Sequence, residues 1–273
     1  MSILDKFSLS GKVVVITGAT GVLGKSFVNA VAEGGARVAI IGRNAERAQQ
    51  RVEQVLRLGG EALAIQADVL VEAEMLLARE QILAKWGTID ALVNAAGGNI
   101  PGATVGPEDD LFAASMTDIA KTLDLNLMGT IIPTHVFGRV MAEKGAGSIV
   151  NIASLASHAA LTRVLGYTVA KAGIVGYTNW MATEMALRYG DKVRVNAIAP
   201  GVFLTEQNRT LLTNGDGSYT ERGQKFVLNT PFKRLGNPEE LEGALLFLLS
   251  DASAFVNGET LYVDGGFTAW TGV

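Results

Sequence analysis

Short runs of β-branched and aliphatic residues recur along the chain with helix-patterned stretches between them, and this alternation narrows the possible folds more than any other feature. The first two runs are residues 12–18 (KVVVITG) and 37–43 (RVAIIGR), and five more follow at 62–69, 90–97, 148–154, 193–200 and 259–264. Their nearly continuous apolar character predicts strands covered on both faces, as in a parallel sheet. Helices are expected over 22–34, 45–58, 72–86, 117–144, 167–189 and 238–250, several of them closing on glycine. The expected fold class is therefore α/β with a seven-stranded parallel sheet. No proline- or serine-rich linker and no internal repeat divides the 273 residues, so one domain over 1–273 is expected. Two stretches break the rhythm, 98–116 and 202–230, and long irregular segments in such domains tend to border a ligand site. The second of these is the expected substrate loop.

Composition excludes several classes of function. Hydrophobic residues make up 48% and charged residues 18%, enough for a sizeable core and too apolar for a disordered chain. The formal net charge is -4 and no basic block stands out, so nucleic acid is not an expected partner. Cysteine is absent, which removes disulfides, thiolate metal sites and thiol nucleophiles together, and with two histidines no metal site is expected. Residues 1–12 carry Asp5 and Lys6 without an apolar signal core, and no uninterrupted apolar run approaches about 18 residues. A soluble cytoplasmic protein without membrane contact is expected.

The chemistry-bearing residues follow the strands. Gly18, Ala19, Thr20, Gly21, Val22, Leu23 and Gly24 lie directly after the first strand and open a helix. Glycines allow a tight turn and let a diphosphate reach the amides at the helix N-terminus, where the helix dipole favours negative charge. The second strand ends at Ile41-Gly42-Arg43-Asn44 without the acid that often holds the adenosine ribose. Arg43 is then either a 2'-phosphate ligand, making NADP(H) the favoured coenzyme and NAD(H) a possible one, or a solvated strand-end cation. Asp68, at the end of the third strand, is either a contact for the adenine amino group or a cap for the helix that follows. Tyr167 and Lys171 stand four apart on an expected helix and share a face, so an ammonium lies beside a phenol and is expected to favour phenolate. Ser154 ends a strand, where parallel sheets place ligands, and suits a hydrogen bond to a carbonyl oxygen. His135 reads as a core or interface residue, His158 as either a pocket-facing or a loop residue, and Met181 and Met185 as packing.

Together with Asp68-Val69, Asn94-Ala95-Ala96-Gly97, Asn126 within Leu125-Asn126-Leu127, and Pro200-Gly201 followed by Thr205, these motifs resemble the short-chain dehydrogenase/reductase family from Lys12 to about Gly266. Where the family's turn commonly has glycine, this chain has Val22, with its middle glycine one place earlier at Gly21. The resemblance implies a Rossmann-type three-layer αβα sandwich, Tyr167 as proton donor or acceptor, Lys171 on the nicotinamide ribose, Ser154 on the substrate oxygen and Asn126 on a relaying water. It further implies that Asn94, Ala95, Ala96 and Gly97 lie along the adenosine side, that Pro200, Gly201, Val202 and Thr205 line the nicotinamide pocket, and that the protein is a homotetramer. Within the family, the segments around Asn94–Asn99, Asn196–Arg209 and Val263–Val273 are similar to the D-mannonate oxidoreductase (fructuronate reductase) branch, which implies a sugar-acid substrate. Another keto-acid or polyol, such as 5-keto-gluconate, is the alternative. A nucleotide-sensing protein that has lost chemistry is a rival, opposed by the intact set of Asn126, Ser154, Tyr167 and Lys171. A carboxylate calls for a guanidinium, with Arg163 and Arg209 as candidates, and Asn99, Gln207 and Asn208 are candidate hydroxyl contacts.

Overall fold

The computed structural model describes residues 2–205 and 208–271. Seven strands form one parallel sheet: β1 (Val13–Thr17), β2 (Arg37–Gly42), β3 (Glu61–Gln66), β4 (Ala91–Asn94), β5 (Gly147–Ile152), β6 (Val193–Pro200) and β7 (Thr260–Val263). Their order is β3-β2-β1-β4-β5-β6-β7, so the winding reverses between β1 and β4. A crevice opens at the carboxyl ends of the strands where the direction of winding changes, and the functional site is expected there.

The unbroken apolar strands follow from packing on both faces. On one side Val14 and Ile16 of β1 meet Phe27 and Val28 of α1 (Val22–Glu33), Val52 of α2 (Ala45–Arg57) and Leu245 of α9 (Glu242–Leu249) in one core. On the other, Val13 and Val15 meet Ile82 of α3 (Glu72–Trp86), Phe137 of α5 (Gly129–Lys144) and Met185 of α6 (Leu165–Tyr189). Alternate side chains of one strand thus enter opposite layers, which completes the αβα sandwich. Short polar signals set the helix boundaries: Asn44 caps α2 by accepting from Arg47 N at 2.8 Å, and Gly87 at φ 74 ends α3. Among the described residues no helix is long and apolar enough to cross a membrane.

Three expectations change. The single helix expected over 117–144 is divided into α4 (Met116–Leu123), a π-turn (Asp124–Met128) and α5. The Asn126 side-chain amide donates to the Thr122 carbonyl at 2.8 Å, competing for an acceptor that the main chain uses in a regular helix. The helix expected over 238–250 begins as a 3₁₀ turn, Pro238–Leu241, before α9. Within 202–230 lie two short helices, α7 (Arg209–Leu212) and α8 (Glu221–Asn229), the latter capped by Thr220, whose hydroxyl accepts from Gly223 N at 3.1 Å. The ends of this excursion are drawn together: Gly236 N donates to Val202 O and Leu204 N donates to Gly236 O, both at 3.0 Å, about an isolated bridge between Phe203 and Gly236.

Candidate active site

A cleft of about 610 Å³ runs along the carboxyl ends of the strands. Its first wall is the β1–α1 turn, where Gly21 N donates to Gly18 O at 3.0 Å. Gly18 has φ +65, and a Cβ there would sit 2.5 Å from the Ala95 carbonyl oxygen, so only glycine lets the turn lie against the end of β4. The residues named for this wall from the sequence line the cleft, Gly18, Thr20, Gly21, Val22, Leu23, Gly24, Arg43, Asp68 and Val69, except Ala19, which is buried in the core. Arg47, one turn into α2, joins Arg43 there and was not singled out from the sequence. Asp68 also shapes its own turn, its Oδ1 accepting from Leu70 N at 3.0 Å, and the helix cap position belongs to Val71.

Ala95, Ala96, Gly97, Pro200, Gly201, Val202 and Thr205 line the middle of the cleft, with Ser154, Tyr167 and Lys171 facing them. Asn94 does not reach the surface: it is buried, donating to Thr134 Oγ1 at 2.8 Å and to Asn151 Oδ1 at 2.9 Å, and Asn151 in turn donates to Thr178 Oγ1 at 2.9 Å. Asn126 is likewise behind the wall. Its Oδ1 accepts from Gly98 N at 3.0 Å and its Nδ2 donates to Gly98 O at 2.7 Å, pinning the chain after β4. Gly97 fills the gap in front, since a Cβ there would lie 2.6 Å from Asn126 Oδ1 and 3.4 Å from Lys171 Nζ.

The Ser154 hydroxyl stands close enough to the Tyr167 phenol to act on its pKa, and Lys171 Nζ lies 5.5 Å from the centroid of the Tyr167 ring. Lys171 is 4% exposed and donates to the Ile152 carbonyl at 2.7 Å. Burial strips solvent from this ammonium and pushes its pKa down to about 7 from 10.5. Tyr167 moves opposite to the expectation of a phenolate: desolvation raises its pKa, outweighing the Ser154 hydroxyl, which lowers it. The expectation counted charge proximity and could not see burial. As built, the site presents a protonated phenol and a serine hydroxyl to one point in the cleft.

The far end of the cleft is lined by Leu211 and Leu212 of α7 and by Arg222 and Phe226 of α8. Here the sequence reading fits least. Asn208 lines the cleft, but its side chain is engaged at both ends, Oδ1 by Thr205 N and Nδ2 by Phe203 O, each at 2.8 Å, so it clamps its own loop rather than offering a hydroxyl contact. Asn99 is exposed and donates to Thr104 Oγ1 at 2.6 Å, and neither it, Arg163 nor Arg209 belongs to the cleft lining. Gln207 lies outside the described residues. Arg222 and Phe226 were missed because 220–229 reads as loop, although Thr220 followed by Glu221 is a helix-start signal. His135 is exposed beside Tyr177, and His158 lies edge-on to Tyr262.

Comparison with known proteins places this geometry. The family model described as enoyl-(acyl carrier protein) reductase, a short-chain dehydrogenase/reductase model, matches residues 18–268. The chain belongs to the short-chain dehydrogenase/reductase family. A provisionally named D-mannonate oxidoreductase from Haemophilus influenza, solved with bound NAD, superposes with a TM-score of 0.91 at 39% identity, over 97% of this chain and 98% of that one. A gluconate 5-dehydrogenase from Burkholderia cenocepacia, in complex with NADP and tartrate, superposes with a TM-score of 0.87 at 34% identity, over 99% and 100%. The D-threitol dehydrogenase of Mycolicibacterium smegmatis is 37% identical over 98% of this chain and 97% of its own. This short-chain dehydrogenase/reductase is accordingly an oxidoreductase, in a family whose members are solved with NAD or NADP.

Proposed function

We propose that this oxidoreductase interconverts a carbonyl and a secondary alcohol on a sugar acid, with NADP(H) as the favoured coenzyme. The observation that carries the reading is that Ser154, Tyr167 and the buried Lys171 come together in one cleft with the glycine turn. That turn fits a dinucleotide, because Gly18 leaves no side chain between the turn and Ala95 and the first amides of α1 stay accessible to a diphosphate. A nicotinamide coenzyme, when bound, supplies hydride transfer.

The chain's own residues supply the rest. The Ser154 hydroxyl and the Tyr167 phenol both orient the substrate oxygen, and the phenol, kept protonated by burial, gives its proton to the oxygen as negative charge develops there. In the oxidative direction the same phenol must first lose its proton. Lys171, poised near neutrality, assists that loss when charged, and it holds the ribose side of the coenzyme. Asn126 and Gly97 fix the wall opposite, and a water relayed from Asn126 toward Lys171 is part of the proposal. Pro200, Gly201, Val202 and Thr205 shape the nicotinamide end, and Asp68 and Val69 the adenine end.

Coenzyme choice rests on Gly42, Arg43 and Arg47. A Cβ at Gly42 would lie 2.6 Å from Thr20 Cγ2, so an acidic side chain at 42 would collide with the turn, while the two arginines put cations on the same wall. The sugar-acid reading draws on the relatives named for D-mannonate and gluconate. A neutral polyol is the second reading, favoured by the D-threitol dehydrogenase relative. Assembly as a homotetramer is part of the proposal: α6 exposes Leu165, Val169, Trp180 and Leu187, a row that a partner copy would cover. The deciding experiment follows nicotinamide absorbance with both coenzymes against D-fructuronate, 5-keto-D-gluconate, D-gluconate, D-mannonate and the matching neutral polyols. Turnover of acids well above polyols supports the reading, and polyol turnover alone overturns it in favour of the second.

A further inference from the structure

We infer that Arg222, backed by Arg163, is the carboxylate-binding group at the far end of the cleft and sets the preference for acids over neutral sugars. The inference rests on the sugar-acid reading and deepens it. Arg222 is half-buried on α8 and lines the cleft together with Phe226, over whose ring its guanidinium lies at 5.3 Å from the centroid. A guanidinium held over an aromatic ring has its rotamer limited, which suits a planar carboxylate in the cleft that Arg222 lines. Arg222 lines the same cleft as Leu211, Leu212, Tyr167 and Lys171.

The charge around Arg222 is unbalanced. Among the described residues neither Arg222 nor Arg163 forms an ion pair, and the neighbouring acid, Glu221, is bound to Lys225 at 2.6 Å. Desolvation, and after it the like charge of Arg163, both disfavour the protonated form of Arg222. Three cations, Arg163, Arg222 and Lys225, thus share one carboxylate, that of Glu221, which also lies within electrostatic reach of Arg163, and the surplus positive charge is stabilised by an anion that enters. Arg163 is also one of two non-glycine residues with positive φ among the described residues, at 79°, and its carbonyl accepts from Val105 N at 2.9 Å. Such a conformation persists only where the surroundings enforce it, and this one lies in the segment that joins Ser154 to Tyr167. A carboxylate bound at Arg222 would therefore be read by the strand-end segment that carries the catalytic pair as well as by α8.

The test is calorimetric titration of the enzyme with NADP⁺ bound, using D-gluconate and the neutral six-carbon polyol D-sorbitol, on the wild type, Arg222→Met, Arg222→Lys and Arg163→Gly. Methionine keeps the apolar stem over Phe226, and glycine suits the backbone at 163, so neither variant should unfold the protein; coenzyme Kd within twofold of wild type verifies this. The expected result is a wild type that favours D-gluconate, a loss of more than ~tenfold in that preference in Arg222→Met, partial recovery in Arg222→Lys and a smaller loss in Arg163→Gly, with D-sorbitol unaffected. A wild type that favours D-gluconate and an Arg222→Met variant that keeps the preference overturn this inference and leave the sugar-acid reading standing. A wild type that binds D-sorbitol as well as D-gluconate overturns both.

Discussion

The two ends of the cleft are built from different materials. At the dinucleotide end the surface is mostly main chain: Gly18 pressed on Ala95, Gly97 pressed on Asn126, and the first turn of α1. At the substrate end it is side chain, with Leu211, Leu212, Arg222 and Phe226 carried on two short helices that pack mainly on each other. A cradle of main chain tolerates one residue type at a few places and binds what all nicotinamide dinucleotides share. A wall of side chains on a surface excursion can change one residue at a time, so under the proposed function it is the end that sets selectivity between substrates.

The largest expected effect falls where the two ends meet. Tyr167→Phe removes a proton donor and almost no volume, so turnover should drop by roughly 10² to 10⁴ while coenzyme Kd, measured by NADPH fluorescence, holds steady. A near-normal kcat would move the proton donor elsewhere and dissolve the boundary between the two ends. Arg43→Glu tests the dinucleotide end alone: kcat/KM with NADPH should fall about ten- to a hundredfold while kcat/KM with NADH holds or rises. An equal fall with both coenzymes would mean that Arg43 supports the loop instead of reading the 2'-phosphate.

Lys171→Met separates function from stability. The lysine's folded pKa, about 7, lies below its ordinary 10.5, so the fold is penalised whenever this group is charged. That penalty is complete below pH 7 and fades as pH rises toward 10.5. Allowing for the Ile152 carbonyl left without its donor, the variant without coenzyme should be more stable than wild type by roughly 1–3 kcal/mol at pH 6, and the gain should vanish by pH 10. Thermal melting at the two pH values checks the sign. The smallest effect belongs to Arg209→Ala. Its side chain is outside the cleft lining, so KM for any acid should change by less than about twofold, within the range of ordinary surface substitutions. A tenfold rise would place the carboxylate at α7 rather than α8.

The same contrast explains what could be read from the sequence. Strands such as Val193–Pro200 agree with their expected bounds because every residue there is buried, mostly apolar side chains with Arg194 and Asn196 satisfied by hydrogen bonds, leaving a record in consecutive residues. The glycine turn, Ser154 and the Tyr167–Lys171 pair are local motifs, and they fall along one cleft as expected. What failed was long-range or environmental. Burial reversed the expected shift of Tyr167, a competing side-chain amide put a π-turn into a helix of regular composition, and Asn208 proved to be occupied by its own loop. Arg47 and Arg222 carry no motif at all, since their place in the cleft depends on how α2 and α8 pack rather than on their neighbours in the chain.

The pinned ends of the excursion that carries α7 and α8 have a consequence for descent. Because Val202, Leu204 and Gly236 hold its two stems together, the stretch between them closes on itself whatever its length, and the entropy of closing a loop grows only with the logarithm of that length. Insertions, deletions or wholesale exchange inside it leave the register of β6 and β7 and the line from Ser154 to Lys171 where they are. A lineage built on this plan can therefore acquire new substrates by replacing one cassette, while the parts that move protons and hold the coenzyme are inherited unaltered.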